Sequence, residues 1–206
     1  QLGRFYNLPS CSWVSTEAMP TPYLEEMGLV TKAVHAAGLH MAVGASAGFY
    51  DLAWADRAVA EGKAALICKA RSWLADPDYG AKAYAGRGED VVPCIRCNKC
   101  HVSNGRDMFR SVCSVNPVLG FEDRIGRMIG PAGAPKKVAV VGGGPAGMEF
   151  AKIASARGHN VTLYEKSDRL GGLLKHADYP SFKWPLRQFK DYLVLQMEKC
   201  GVDVRL

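Results

Sequence analysis

The chain has 206 residues, 48% apolar and 22% charged, which is enough for one or two buried cores and too ordinary for a repeat or low-complexity protein. No apolar stretch approaches the roughly 20 residues of a membrane span, and Gln1-Leu2-Gly3-Arg4 begins neither the basic nor the apolar region of a signal peptide. The net charge of +6 comes from scattered lysines and arginines with no aromatic-interleaved stripe, which speaks against a nucleic-acid partner.

Residues 22–36 predict a helix with Leu24, Met27, Val30 and Val34 along one face, ended by Gly38. His40-Met41-Ala42-Val43 predicts a short buried strand closing at Gly44. A second helix over 52–60 stops at Gly62, a second buried strand runs over 64–68, and a short helix covers 78–85. This alternation gives parallel β/α units, and two units cover both faces of a sheet only if more of the domain lies upstream. Residues 93–117 read as irregular. Residues 120–134, with Gly126, Gly130, Pro131 and Gly133, read as a linker.

A new unit starts at Lys136 with a buried strand over 138–141, a glycine loop, and a helix over 146–156 ended by Gly158. A second strand, 161–164, leads to Glu165. An amphipathic helix over 186–199 then carries Leu186, Phe189, Leu193 and Met197 on one face, and Gly201 precedes a last strand. The chain lacks an initial Met and stops within strand-like Val202-Asp203-Val204-Arg205-Leu206, so an internal piece of a longer protein is expected.

Two motifs carry chemistry. Cys94, Cys97, Cys100 and Cys113 read C-x2-C-x2-C followed by a distant fourth cysteine. Three thiolates on one tight loop suit three irons of a [4Fe–4S] cube, with the fourth ligand from a later segment. A structural zinc site and unligated thiols stay open, although zinc sites more often pair two C-x2-C knuckles. Arg96, Lys99 and His101 lie among these cysteines, where cations stabilise a more negative reduced cluster or simply point into water. The remaining Cys11, Cys68 and Cys200 read as free thiols, which fits a reducing cytoplasm.

The second motif is Gly142-Gly143-Gly144-Pro145-Ala146-Gly147 between a strand and a helix. Gly142 permits the tight turn, Gly144 the approach of a pyrophosphate, and Gly147 the close packing of helix on strand, while the helix N-terminus with Ala146 faces the phosphates. Glu165, at the end of the next strand, is placed to accept hydrogen bonds from ribose hydroxyls and favours an unphosphorylated ribose; Lys166 follows it. Gly171-Gly172 beyond it favours FAD, or bare ADP, over NAD at this loop.

Taken together, Cys94-Ile95-Arg96-Cys97-Asn98-Lys99-Cys100, Cys113-Ser114-Val115-Asn116-Pro117 and Val140 to Glu149 resemble the NADH:flavin oxidoreductase family. The family includes bacterial 2,4-dienoyl-CoA reductase, clostridial 2-enoate reductases, bile-acid and isoflavone reductases of gut anaerobes, and trimethylamine dehydrogenase. The resemblance covers about residues 40–206 and includes Lys69-Ala70-Arg71-Ser72-Trp73-Leu74-Ala75-Asp76-Pro77, similar to the segment after the last barrel strand. It implies an α/β chain in three parts: the C-terminal end of an FMN-binding TIM (β/α)8 barrel (1–92), a [4Fe–4S] segment and linker (93–134), and the start of a Rossmann-like FAD-binding domain (135–206).

By position, the resemblance gives Arg71, with Ala70, to the FMN phosphate. Ala47-Gly48 stands where relatives often have Gly-Arg, so a contact there falls to backbone N–H groups near Gly48. Some relatives carry a proton-donating His near Gly3-Arg4-Phe5-Tyr6-Asn7; here only Tyr6 is available, with structural packing as its other reading, and a second family donor would lie upstream. The implied activity is reduction of an activated C=C bond in an enoate, enone or enoyl-CoA. NAD(P)H reduces FAD, the cluster passes single electrons to FMN, and FMN delivers hydride. An amine dehydrogenase of the trimethylamine type, running electrons the other way, and a non-catalytic electron-transfer module are the rival readings. The expected partner is a small unsaturated substrate, with neither nucleic acid nor membrane, and a homo-oligomer is left open.

Overall fold

Parallel strands need crossovers, and both sheets of this chain are parallel. The computed structural model describes residues 24–46, 49, 51–97, 99–102 and 111–206. The chain divides into two units, 1–98 and 99–206.

The first unit contains α1 (Leu24–Ala36), β1 (Gly44–Ser46), α2 (Leu52–Ala60), β2 (Leu66–Cys68), α3 (Arg71–Ala75) and α4 (Tyr79–Tyr84), then a 3-10 turn at Gly88–Asp90. α1 turns its expected stripe inward: Leu24 and Met27 pack on a core of Ala45, Phe49, Ala58 and Ala64. Thr31 Oγ1 donates to the Lys63 carbonyl at 2.7 Å, and Lys63 reaches Glu25 and Glu61 at 2.7 and 2.8 Å. α2 starts where Asp51 caps it, its carboxylate accepting the Ala53 and Trp54 N–H groups at 2.7 and 3.3 Å.

β1 and β2 pair in parallel, with Gly44 opposite Leu66 and Ser46 opposite Cys68. The strand expected over 40–43 therefore begins later. Only the Val43 carbonyl joins the pairing, accepting the Ala65 N–H at 2.8 Å. Gly44 packs closely on its neighbour there, where a Cβ would come within 2.9 Å of the Leu66 side chain. The expectation that both strands are buried is also corrected: Ala45 is buried, whereas Leu66 and Cys68 are exposed and Ile67 is half-buried. A two-stranded ribbon buries one face at most.

The second unit holds α5 (Lys99–Val102), α6 (Glu122–Met128), β3 (Lys137–Val141), α7 (Pro145–Ala156), β4 (Asn160–Tyr164), α8 (Leu174–Ala177), a 3-10 turn at Ser181–Lys183, α9 (Trp184–Lys199) and β5 (Asp203–Arg205). α5 places one helical turn inside the segment expected to be irregular. α6 replaces part of the expected linker: Glu122 and Asp123 favour its N-terminal turn, and Arg127 donates to the Asp123 carbonyl at 2.6 Å. The stretch after α6 is tied down as well, since Arg157 Nε donates to the Gly130 carbonyl at 3.0 Å and the Ala132 N–H to the Arg157 carbonyl at 2.9 Å.

β3, β4 and β5 form a parallel sheet in that order, with Val138 opposite Val161, Val140 opposite Leu163, and Leu163 opposite Val204. Both crossovers run in the same direction across the sheet, so with connections of the same hand their helices lie on one face. α7 accordingly meets α9. The core between helices and sheet contains Val140, Val161, Leu163, Met148, Ala151, Phe189, Leu193 and Met197. β3 is buried only at Val140, and Val141, turned to the other face, is 87% exposed. No helix among the described residues is long and apolar enough to cross a membrane.

Candidate functional site

The glycine loop joins the end of β3 to the start of α7, and each glycine stands there for its own reason. Gly142 has φ +107, a left-handed turn that side chains resist, and its N–H donates to the Tyr164 carbonyl at 2.7 Å. A Cβ on Gly147 would sit 2.0 Å from the Gly142 carbonyl oxygen, so the close approach of helix and strand forbids one. Gly144 is different. Its φ of −80 suits any residue, and a Cβ there would meet only the Gly172 Cα at an ordinary 3.8 Å. The protein itself therefore leaves room at Gly144, which is the cradle that a pyrophosphate needs. α7 begins with Gly144 as N-cap and Pro145 in its first turn, and no side chain caps its amides. The first-turn N–H groups of Ala146 and Gly147 thus face outward at the positive end of the helix.

Two further segments close on this loop. The Gly171 N–H donates to the Gly143 carbonyl at 2.8 Å, and Gly172, at φ +52, lies so near that a Cβ would stand 2.8 Å from the Gly144 Cα. Glu165 comes from the end of β4. Its Oε2 accepts the Gly143 N–H at 2.7 Å, and its Oε1 accepts the Ser167 N–H and hydroxyl at 2.9 and 2.8 Å. Those bonds, the Ser167 and Gly143 amides foremost, hold its carboxyl down at about 2. A carboxylate offers four lone-pair sites, so one on Oε2 is left for a ribose hydroxyl. Glu165 is thus first a clasp of the loop, and only by its last site a ribose acceptor. Lys166 beside it is exposed.

Sequence reasoning passed over Ser167 and Lys175. Lys175 Nζ donates to Ser167 Oγ at 2.7 Å and to the Arg169 carbonyl at 3.1 Å, bracing the acid from behind. A serine two residues after the strand-end acid was the available signal, since its side chain and amide can both reach back to it.

The four cysteines are each half-buried and lie outside any disulfide. Cys94 and Cys97 lie on the irregular stretch after the first unit's 3-10 turn, Cys100 on α5, and Cys113 in the irregular segment before Pro117. The division between the units falls inside the motif, after Asn98. Among the described residues no three His, Cys, Asp or Glu side chains gather as a metal-holding group. The donor set, four reduced thiols without a disulfide, fits an iron–sulfur cluster chemically. Arg96 is 1% exposed and has φ 56, so of the two cation readings the one that points it into water is excluded; Lys99 is exposed.

Arg71 is the first residue of α3, three residues beyond β2, with Ala70 preceding it as N-cap. Gly48 and Tyr6 lie outside the described residues, and the side chain of His101 is not described.

Residues 140–193 match the family of NAD(P)-binding Rossmann-like domains. The chain is 41% identical over 153 residues to an NADH oxidase of Thermoanaerobacter brockii and 40% identical over 153 residues to a bilirubin reductase of Mediterraneibacter gnavus. In each case the match covers 74% of this chain and 23% of the relative, so the chain spans about a quarter of the length of these curated relatives. Among solved structures it is similar to 2-naphthoyl-CoA reductase in complex with 2-naphthoyl-CoA, with a TM-score of 0.81 and 33% identity over 91% of this chain and 28% of that one. With a Rossmann-like glycine loop in place and an NADH oxidase and two reductases among the proteins it resembles, these likenesses support the NADH:flavin oxidoreductase family that the motifs suggest.

Proposed function

We propose that the chain is part of an NAD(P)H-dependent flavin and iron–sulfur oxidoreductase that reduces an activated C=C bond in a small enoate, enone or enoyl-CoA substrate. The observation that carries the reading is the cradle at Gly144, open to a ligand while Gly143, Gly147 and Gly172 are closed by protein. In this reading residues 1–92 belong to a flavin-binding barrel end, 93–134 to the cluster segment, and 135–206 to an FAD-binding unit. The Ala146 and Gly147 amides hold the pyrophosphate, Gly142 and Gly172 shape the turn around it, and the last site of Glu165 takes a ribose hydroxyl. Arg71 with Ala70, and the backbone near Gly48, hold the FMN phosphate. Cys94, Cys97, Cys100 and Cys113 ligate the cluster, and buried Arg96 favours its reduced, more negative form. Bound flavin and cluster supply hydride and single-electron transfer from NAD(P)H to the substrate. The reading requires no nucleic-acid or membrane partner.

Turnover by the full-length protein tests this directly. NAD(P)H oxidation that depends on an added enoate or enone is the expected result. Amine-dependent dye reduction without it would replace the reading by an amine dehydrogenase. Neither activity, with flavin bound, would leave an electron-transfer module. Anaerobically purified protein is expected to be brown, with about four irons and four sulfides per chain, and stoichiometric zinc without sulfide overturns the cluster.

A further inference from the structure

Asp76 directly follows α3 and is 2% exposed, one of the most deeply buried polar side chains in the first unit. Its Oδ1 accepts the Asp78 N–H at 3.0 Å, a local turn of the kind aspartates commonly make. Its Oδ2 does something less local: it accepts Lys82 Nζ at 2.6 Å and the Val92 N–H at 2.8 Å. Val92 lies sixteen residues on in sequence and two before Cys94. The intervening stretch, α4 and the 3-10 turn, begins and ends on one carboxylate. Arg87 and Asp90, 3.5 Å apart, hold its far bend.

A buried carboxylate without partners would be expensive, and here each bond it makes is to a charged donor or a backbone amide. Lys82 alone would satisfy the charge, so the Val92 contact is a second task. It fixes the backbone where the cysteine segment departs, and it does so from the end of the helix whose first residue is Arg71.

We propose that Asp76 is a positioning residue that anchors the entry to the cysteine segment through the Val92 amide and so sets where Cys94 is presented. The inference rests on the cluster reading above. Groups that orient metal ligands at one remove typically contribute roughly 10–100-fold to metal retention.

A pair of variants of the full-length protein separates anchoring from general stability. K82M removes the ion pair but keeps the Val92 bond, whereas D76A in the K82M background removes the acceptors as well and strands no charge. The K82M protein should keep parent-like iron and sulfide and an unchanged spectrum of the reduced cluster by electron paramagnetic resonance. The double variant should release iron to a chelator roughly 10–100-fold faster, with a broadened spectrum. Equal release from the two overturns the inference and leaves the cluster reading intact. Iron and sulfide missing from the parent overturn the cluster reading itself. Hydrogen exchange on the unmodified protein adds a check that needs no variant: the Val92 amide should exchange as slowly as the amides of α4. Exchange at the rate of an unprotected peptide overturns the anchor.

Discussion

At Glu165 one carboxylate holds three protein donors, and this gives the residue a pH signature. Its folded carboxyl sits at about 2, below the ordinary 4.5. The group stays charged in the fold after the unfolded chain has protonated, so its stabilisation is complete above about pH 4.5 and is lost as the pH falls toward 2. The Glu165→Gln variant should show a shallower fall of melting temperature between pH 5 and 2 than the parent, measured in parallel thermal scans. The glycines divide in the same spirit. Gly147→Ala forces a Cβ onto the Gly142 carbonyl and should cost about 1–3 kcal/mol in urea denaturation. Gly144→Ala has room and should stay within about 1 kcal/mol of the parent. Its affinity for ADP or FAD, by calorimetry, should nevertheless fall at least roughly tenfold, the equivalent of one lost charge-assisted hydrogen bond. Arg96, strained and buried, gives a third case: with the proposed cluster bound, Arg96→Gln should lower its midpoint potential in a redox titration.

Among elements, periodicity located the helices well because an amphipathic stripe is a local property of the chain. α1, α2, α7 and α9 lie within two residues of where their patterns put them. The strands were less legible. β1 is built from Gly44, Ala45 and Ser46, which have little hydrophobic signal. α6 was hidden because Gly126, Gly130 and Gly133 suggested a linker, whereas the charges at its two ends favour a helix. Gly126 meets nothing within 4 Å, so Gly126→Ala should stabilise the protein by roughly 0.5–1 kcal/mol, visible in its denaturation midpoint. In α9, Leu193 is fully buried against the sheet core, and Leu193→Ala should cost about 2–5 kcal/mol.

For the molecule as a whole, Cys113→Ser should lose most of the iron and sulfide, while Cys200→Ser, at the C-cap of α9, should keep them. The sequence by itself determined the chemistry on offer: four cysteines at iron–sulfur spacing, and a strand–glycine–helix turn with an acid after the next strand. Spacing of this kind survives in one dimension because each motif closes over a few residues. Only the tertiary structure decided what holds the motifs in shape. That Glu165 clasps Gly143, that Gly171 and Gly172 seal the loop from the far side, and that Asp76 reaches Val92 are contacts between distant residues. No local pattern encodes such contacts, because what selects them is the need of each buried polar group to find a partner in three dimensions.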